Sequence, residues 1–245
     1  MARAFNGTTQ WLLGASVPVV QPPFTIACWF RATAVVDDEV LVNLSLHTAD
    51  WSSHSLSASG ATAGDPVKAT TYLHAAPFTA VSAVTSTGFA ADTWYHACGV
   101  WASTSSRAAY IGGGSKGTNA DPKICANMTR TAIAAVQQSG GALACFGGRI
   151  AEAGIWNVAL TDAEVAILGA GYCPLFVRPQ SLVSYWPFVR DNDKDIVGVT
   201  NLTPQNAPTV ESHSPVLYPY GYVTPGRVGA APATLRTLAT LGAGR

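Results

Sequence analysis

The sequence predicts an all-β protein of the sandwich or barrel type that contains a single short helix. Apolar side chains alternate with polar ones along several segments, which is typical of half-buried strands. Clusters of glycine between these segments indicate turns, at Gly60, Gly64, Gly112–Gly114 and Gly140–Gly141. Many short strands separated by turns favour a sandwich or a barrel.

The predicted strands follow one another along the first three quarters of the chain. Residues 24–31 are the clearest example, because Phe24, Ile26, Cys28 and Phe30 share one face. The full set of predicted strands is 24–31, 40–46, 68–73, 78–84, 93–103, 107–111, 149–156 and 182–188.

Alternation also assigns faces within two of these strands. In 40–46, Val40, Val42, Leu44 and Leu46 are expected to point inward, while Asn43 and Ser45 point outward. In 93–103, the core face is expected to carry Trp94, His96, Cys98 and Val100, which leaves Trp101 on the opposite face.

The helix is predicted from a capping box at Thr161-Asp162-Ala163-Glu164. In this motif the Thr161 hydroxyl accepts the backbone N–H of Glu164, and the Glu164 carboxylate accepts the N–H of Thr161. Gly169 and Gly171 end the element after about two turns.

The composition changes after Phe188. A short charged loop at 191–195 is followed by a stretch rich in proline and tyrosine, and then by a final stretch of glycine, alanine, threonine and leucine. We therefore predict one domain over residues 1–188 and an extended C-terminal arm over residues 189–245.

Charge and composition exclude several classes of function. The 245 residues carry 14 basic and 14 acidic side chains, so 11% are charged, against about 25% in an ordinary soluble domain. This neutral balance argues against a nucleic-acid partner, which would need a clustered basic face. No apolar stretch approaches the ~18 residues of a membrane-spanning helix, so no membrane insertion is expected. Polar residues at 6–10 argue against a secretory signal peptide.

The cysteines are predicted to be free thiols. Their number, five, is odd, and no two are separated by two residues, which excludes a zinc ribbon or a thioredoxin-type motif. In a chain without an export signal they are expected to be small buried hydrophobes.

The order of elements resembles the laminin-G-like, concanavalin A-like jelly roll. The resemblance is carried by Phe24–Phe30, by Trp94–Ala97, by Arg107–Tyr110 and, most strongly, by the run from Gly148 to Glu164. The run Val177–Phe188 with His213-Ser214-Pro215 is similar to a subgroup found among structural proteins of tailed phages.

The resemblance implies both a fold and a role. The fold is an antiparallel β-sandwich jelly roll whose first strand, around Phe5 to Leu12, lies beside the last one near Tyr185. The role is that of a virion structural protein, a capsid-decorating or fibre-associated subunit that is made in the host cytoplasm. Its partners would be other copies of itself and other virion proteins. The alternative is a carbohydrate-binding adhesin or lectin module that binds cell-surface glycans.

Neither catalytic residues nor a cofactor or metal are predicted. A jelly-roll glucanase needs two facing carboxylates, and the four glutamates, at 39, 152, 164 and 211, lack the required spacing. His96 is expected to be a core histidine. The loop Asp191–Asp195 imitates the start of a calcium loop but has Ile196 where an EF-hand needs glycine. Gly112–Gly114 is read as a hairpin tip in preference to a phosphate cradle.

Two sets of residues are candidates for binding. Exposed aromatic rings beside polar groups are what carbohydrate-binding jelly rolls use, and the candidates are Trp51, His54, Tyr72 and Trp101. In the arm, large apolar residues are expected to pack against a neighbouring subunit or the particle. These residues are Tyr218, Tyr220, Tyr222, Leu235, Leu238 and Leu241.

Overall fold

The structure is a computed structural model, and it describes residues 1–47, 52–74, 77–125, 127–138, 141–189 and 192–218. Among the predicted site residues, Trp51, Tyr220, Tyr222, Leu235, Leu238 and Leu241 lie outside the described residues.

Strands make up most of the regular structure of the described chain. The strands are β1 Ala2–Asn6, β2 Trp11–Gly14, β3 Phe24–Ala32, β4 Asp38–Ser45, β5 Ser53–Ser59, β6 Pro66–Leu73, β7 Thr79–Gly88, β8 Tyr95–Ser103, β9 Ser106–Ile111, β10 Gly114–Asn119, β11 Arg130–Ile133, β12 Val136–Gln138, β13 Gly141–Leu143, β14 Gly147–Trp156, β15 Leu182–Trp186, β16 Leu202–Gln205 and β17 Thr209–Glu211. One α-helix, α1 Asp162–Gly169, and one 3₁₀ turn, Pro174–Phe176, complete the elements of the described residues.

Two antiparallel sheets form a sandwich. The eight-stranded sheet has the order β10-β9-β8-β3-β14-β1-β17, and β15 also pairs with β14. The seven-stranded sheet has the order β16-β2-β11-β4-β5-β6-β7. The predicted all-β jelly-roll sandwich with one short helix is therefore confirmed.

The predicted helix is also confirmed, together with its cap. The Thr161 hydroxyl accepts the backbone N–H of Glu164, and the Glu164 carboxylate accepts the Thr161 N–H at 2.8 Å. Glu164 also pairs with Arg178, which ties the helix to the segment that follows it.

The fold contains two layers of buried apolar side chains. The first lies between the sheets and includes Phe24, Phe30, Leu44, Leu56 and Trp101. The second lies between the outer face of the eight-stranded sheet and the segment that contains α1. It includes Cys98, Val100, Trp156, Val165 and Leu168.

These two layers correct the prediction for residues 93–103. Cys98 and Val100 lie in the second layer, whereas Trp101, on the opposite face of β8, lies between the sheets and is fully buried. Trp94, which was assigned to the core, precedes β8 and is half-buried. Because both faces of β8 are covered, alternation alone could not identify the inner one.

The first strand also differs from the expectation. Residues 5–12 divide into β1 and β2, which belong to opposite sheets. β1 pairs with β14 at 147–150 and β15 pairs with β14 at 153–156, so β1 and β15 lie end to end along β14.

Residues 192–218 continue the sandwich. β16 pairs with β2 in one sheet, and β17 pairs with β1 in the other. Asp193 forms a buried ion pair with Arg3 at 2.5 Å. The Asp195 carboxylate accepts the backbone N–H groups of Tyr185 and Gly198. Asp193 and Asp195 of the charged loop thus hold the segment after Phe188 against the sandwich.

All five cysteines are buried free thiols in the structure. Burial raises the pKa of the Cys28 and Cys98 thiols well above the ordinary range, and it raises that of Cys173 to about 11. These three thiols are therefore held in their protonated, unreactive form.

Candidate functional site

The outer face of the seven-stranded sheet carries a continuous set of small polar side chains. Core residues such as Leu44, Leu56 and Ala69 point toward the other sheet, so their neighbours point outward. We call this surface the serine face, and it consists of Asn43, Ser45, Ser53, Ser55, Ser57, Lys68, Thr70, Tyr72 and Ser82.

Strand register aligns part of the serine face into a row across four strands. Asn43 is opposite Ser55, Ser55 is opposite Thr70, and Thr70 is opposite Ser82. The Asn43 amide nitrogen donates to the Ser55 hydroxyl at 2.8 Å, and the Thr70 and Ser82 hydroxyls lie 2.8 Å apart. The row is a line of hydroxyl and amide groups about four strands, or ~15 Å, wide.

Two acceptor groups on the serine face have no protein partner. The side chains of Asn43 and Ser45 are fully buried, yet the Asn43 carbonyl oxygen Oδ1 and the Ser45 hydroxyl Oγ form no hydrogen bond. Buried polar atoms normally have partners. Because these two atoms have no exposed surface, an ordered buried water is what would complete their hydrogen bonding.

An aromatic group borders the serine face where β6 leads into β7. The ring centroids of Tyr72 and His74 are 6.5 Å apart and stacked, and those of His74 and Phe78 are 4.4 Å apart. Phe78 is 61% exposed. Tyr72 is opposite Ser53, the first residue of β5, so the group adjoins the start of that strand.

The structure separates the three predicted carbohydrate-binding residues that it describes, His54, Tyr72 and Trp101. Tyr72 lies on the serine face and Trp51 lies outside the described residues. His54 is buried between the sheets, 5.0 Å from the Phe24 ring, and its Nδ1 lies 3.1 Å from the Thr71 hydroxyl.

Trp101 is the clearest correction within this set. Its ring stacks on Phe24 at 4.8 Å, and its Nε1–H donates to Thr71 at 3.0 Å. Its exposed fraction is 0%, so the ring is not available on the surface. The prediction that Trp101 points outward is wrong because β8 presents this face to the second sheet.

Sequence reasoning missed most of the serine face. A signal was present, since Ser53, Ser55, Ser57 and Ser59 recur at every second position, which is the mark of one strand face. His74 and Phe78 flank the β6–β7 connection and were not recognised as one group.

The glutamates are held at separate positions. Glu39 accepts the Gly147 N–H at 3.1 Å and lies in a pocket of about 450 Å³ with Asp37 and Asp38. Burial raises the pKa of Glu39 to about 7. Glu152 is buried beside His213, Glu164 caps α1, and Glu211 pairs with Arg149 at 3.4 Å.

Neither a metal cluster nor a spanning helix occurs among the residues that the structure covers. No group of three or more histidine, cysteine, aspartate or glutamate side chains there is arranged to hold a metal ion. Likewise, no helix in the described ranges is long and apolar enough to cross a membrane.

The chain belongs to the concanavalin A-like lectin/glucanases superfamily, whose family profile matches residues 6–166. No curated protein matches the chain.

Solved structures with this fold include several carbohydrate-binding proteins. A Bacteroides ovatus protein of proposed carbohydrate-binding function has a TM-score of 0.63 at 17% identity, and the match covers 88% of this chain and 61% of that one. Another similar structure is domain 4 of AbnA, a GH43 extracellular arabinanase from Geobacillus stearothermophilus, in complex with arabinotriose. Its TM-score is 0.54 at 18% identity, and the match covers 69% of this chain and 76% of that one.

A third similar structure is the CBM40 of the Ruminococcus gnavus IT-sialidase bound to α2,3-sialyllactose. Its TM-score is 0.51 at 10% identity, and the match covers 69% of this chain and 94% of that one. At these identities the likeness establishes the fold.

Proposed function

We propose that this protein is a carbohydrate-binding module that holds a glycan on the serine face. The observation that carries the proposal is the partly exposed end of the row, where the Thr70 and Ser82 hydroxyls lie on the same face as the Tyr72 ring. Sugars present alternating hydroxyl groups and apolar C–H faces. A line of hydroxyl and amide groups beside an aromatic wall complements both.

The family and the similar structures support this proposal over a purely structural role. The superfamily is described by its lectins and glucanases, and the similar structures are described as carbohydrate-binding proteins or domains. Carbohydrate binding, which the sequence offered as the alternative, is therefore better supported than its first prediction of a virion structural protein.

The test is a glycan array that includes neutral and sialylated oligosaccharides. The wild-type protein should bind at least one class of glycan, and Tyr72→Ala should reduce that binding at least tenfold by removing the stacking ring. Tyr172→Ala is the matched control, because Tyr172 is an exposed tyrosine that follows α1 on the other side of the sandwich. Equal loss in both variants, or no binding by the wild type, would contradict the proposal.

Display on a virion is a separate proposal, which the low charge and the resemblance to phage structural proteins support. A protein with 11% charged residues is prone to association when free and less so when fixed in an assembly. Stoichiometric copies in purified particles would establish this placement, and their absence from all such particles would contradict it.

A further inference from the structure

An exposed apolar patch lies on the opposite side of the sandwich from the serine face. Tyr172, Phe176 and Leu217 are 40%, 44% and 57% exposed. The Tyr172 and Phe176 ring centroids are 5.5 Å apart, and Tyr172 and Leu217 are paired in a parallel β-bridge. Ile167 at the end of α1 is 42% exposed, and its carbonyl accepts the Tyr172 N–H at 3.3 Å. We call these four residues the Tyr172 patch.

The size of the Tyr172 patch limits what can cover it. Four side chains exposed to this degree offer on the order of 300 Å² of apolar surface. A stable interface between two copies needs about 800 Å² from each. The patch is therefore too small to hold a second copy by itself, but it is large enough for a short extended segment.

Residues 217 and 218, the last two that the structure describes, lie beside this patch. Leu217 donates its N–H to the Gly171 carbonyl at 2.7 Å, and its own carbonyl accepts the Cys173 N–H at 3.1 Å. The next residue, Tyr218, donates its hydroxyl to the buried Glu152 carboxylate at 2.5 Å. These contacts fix residues 217 and 218, so residue 219 starts at the edge of the patch.

We propose that the Tyr172 patch is the docking surface for residues 219–245 of the same chain. This segment has only three charged side chains, all arginines, and its large apolar residues match an uncharged patch. A short tether gives a docking segment a millimolar effective concentration. A contact of only millimolar intrinsic affinity would then be occupied about half of the time.

This proposal changes the role that the sequence predicted for the arm. Sequence reasoning assigned the arm residues to contacts with a neighbouring subunit, whereas Tyr218 contacts Glu152 of its own sandwich. The proposal extends the same arrangement, packing on the chain's own sandwich, to residues 219–245.

Side-chain oxidative labelling read by mass spectrometry tests the proposal in the full-length chain. In the variant Y220S/Y222S/L235S/L238S/L241S, labelling of Tyr172 and Phe176 should rise about twofold over the wild type, because the contact is occupied about half of the time. The matched control R227S/R236S changes the same segment but leaves its apolar residues, so labelling there should stay at the wild-type rate. Phe78, which lies on the opposite side of the molecule, is the internal reference and should not change in any protein.

Unchanged labelling of Tyr172 and Phe176 in the five-serine variant would overturn the proposal. Light scattering of the wild type at two concentrations provides the second readout. A monomer whose labelling is independent of concentration supports docking within one chain. A dimer whose patch becomes labelled on dilution would overturn the proposal in favour of exchange between copies.

Discussion

Glu152 is the residue that joins the C-terminal part of the chain to the sandwich. Its side chain is 2% exposed, and its carboxylate accepts the hydroxyls of Tyr185 and Tyr218. His213 Nε2 lies 2.8 Å from the same carboxylate. Glu152 has a backbone φ of 54° and lies where the register of β14 against β3 shifts, which is the mark of a bulge. The bulge directs the Glu152 carboxylate into the protein interior. A buried carboxylate is costly unless hydrogen-bond donors surround it, and these side chains provide them.

Replacing Glu152 by glutamine is expected to lower the free energy of unfolding by ~1–3 kcal/mol, because buried donors lose a charged acceptor. Tyr218→Phe removes a single donor and should cost about 1 kcal/mol. Glu211→Gln changes an exposed glutamate and should stay within ~0.5 kcal/mol of the wild type. Urea denaturation measures all three. Release of reducing ends from β-glucan by the wild type, lost in the Glu152 variant, would instead indicate a catalytic carboxylate.

Two buried histidines give the fold a dependence on pH. Burial lowers the pKa of His54 to about 4 and that of His96 to about 3, from an ordinary value of 6.5. As the pH falls below 6.5, these two histidines therefore become protonated in the unfolded chain while they stay neutral in the folded one. The stabilisation is complete above pH 6.5 and is lost as the pH falls toward 4 and 3. Glu39 acts in the opposite direction, because burial raises its pKa from 4.5 to about 7.

The stability of the wild type should accordingly fall between pH 6.5 and pH 4. His96→Gln should reduce that loss, since one buried group no longer titrates. Glu39→Gln should deepen it, because the glutamate's opposing contribution, present below pH 4.5 and lost as the pH rises through 7, is removed. Urea midpoints at pH 4, 5 and 6.5 measure the slopes. The assignment of these groups fails if both variants shift the slope in the same direction.

Among the elements, strands with large apolar residues were predictable and strands with small polar ones were not. Phe24–Ala32 and Gly147–Trp156 were found because their side chains alternate. Ser53–Ser59 and Gly114–Asn119 carry serine and glycine, whose weak β-propensity resembles that of a loop. β16 contains Pro204 and is a sheet edge, where proline is tolerated, so its composition was read as an arm.

The segment after Phe188 can be tested through its buried ion pair. Asp193→Asn removes a charged hydrogen-bond acceptor from the buried Arg3 and should cost about 1.5–3 kcal/mol. The matched control is Asp92→Asn at the surface pair with Arg31, where the aspartate side chain is 71% exposed and the expected cost is at most ~1 kcal/mol. Thermal denaturation compares the two. Equal costs would mean that residues 192–218 do not stabilise the sandwich.

On the scale of the whole molecule, the two sheets have different surroundings. The outer face of the eight-stranded sheet is covered by α1 and by the residues around it, which form the second apolar layer. The seven-stranded sheet has small polar residues on its outer face. Within that face Asn43, Ser45, Ser53 and Ser55 are buried, whereas Lys68, Thr70, Tyr72 and Ser82 are partly exposed. The candidate site therefore lies on the part of the seven-stranded sheet near Tyr72.

The sequence predicted this site only in part. Tyr72 was recognised as an aromatic residue beside polar groups, and it lies on the serine face. The sequence could not distinguish the buried residues His54 and Trp101 from the partly exposed Tyr72. The difference depends on which face of each strand turns toward the other sheet. The row Asn43–Ser55–Thr70–Ser82 depends on the register of four strands, and register is set by contacts far apart in the sequence.

The most direct test of glycan binding on the serine face is an NMR titration of the ¹⁵N-labelled full-length protein. The probes are arabinotriose, 3′-sialyllactose and laminaritriose, each raised to 10 mM. At least one of them should shift the amide signals of Ser55, Thr70, Tyr72 and Ser82 while leaving those around Tyr172 unchanged. Shifts confined to other surfaces, or no shift with any of the three probes, would contradict the account.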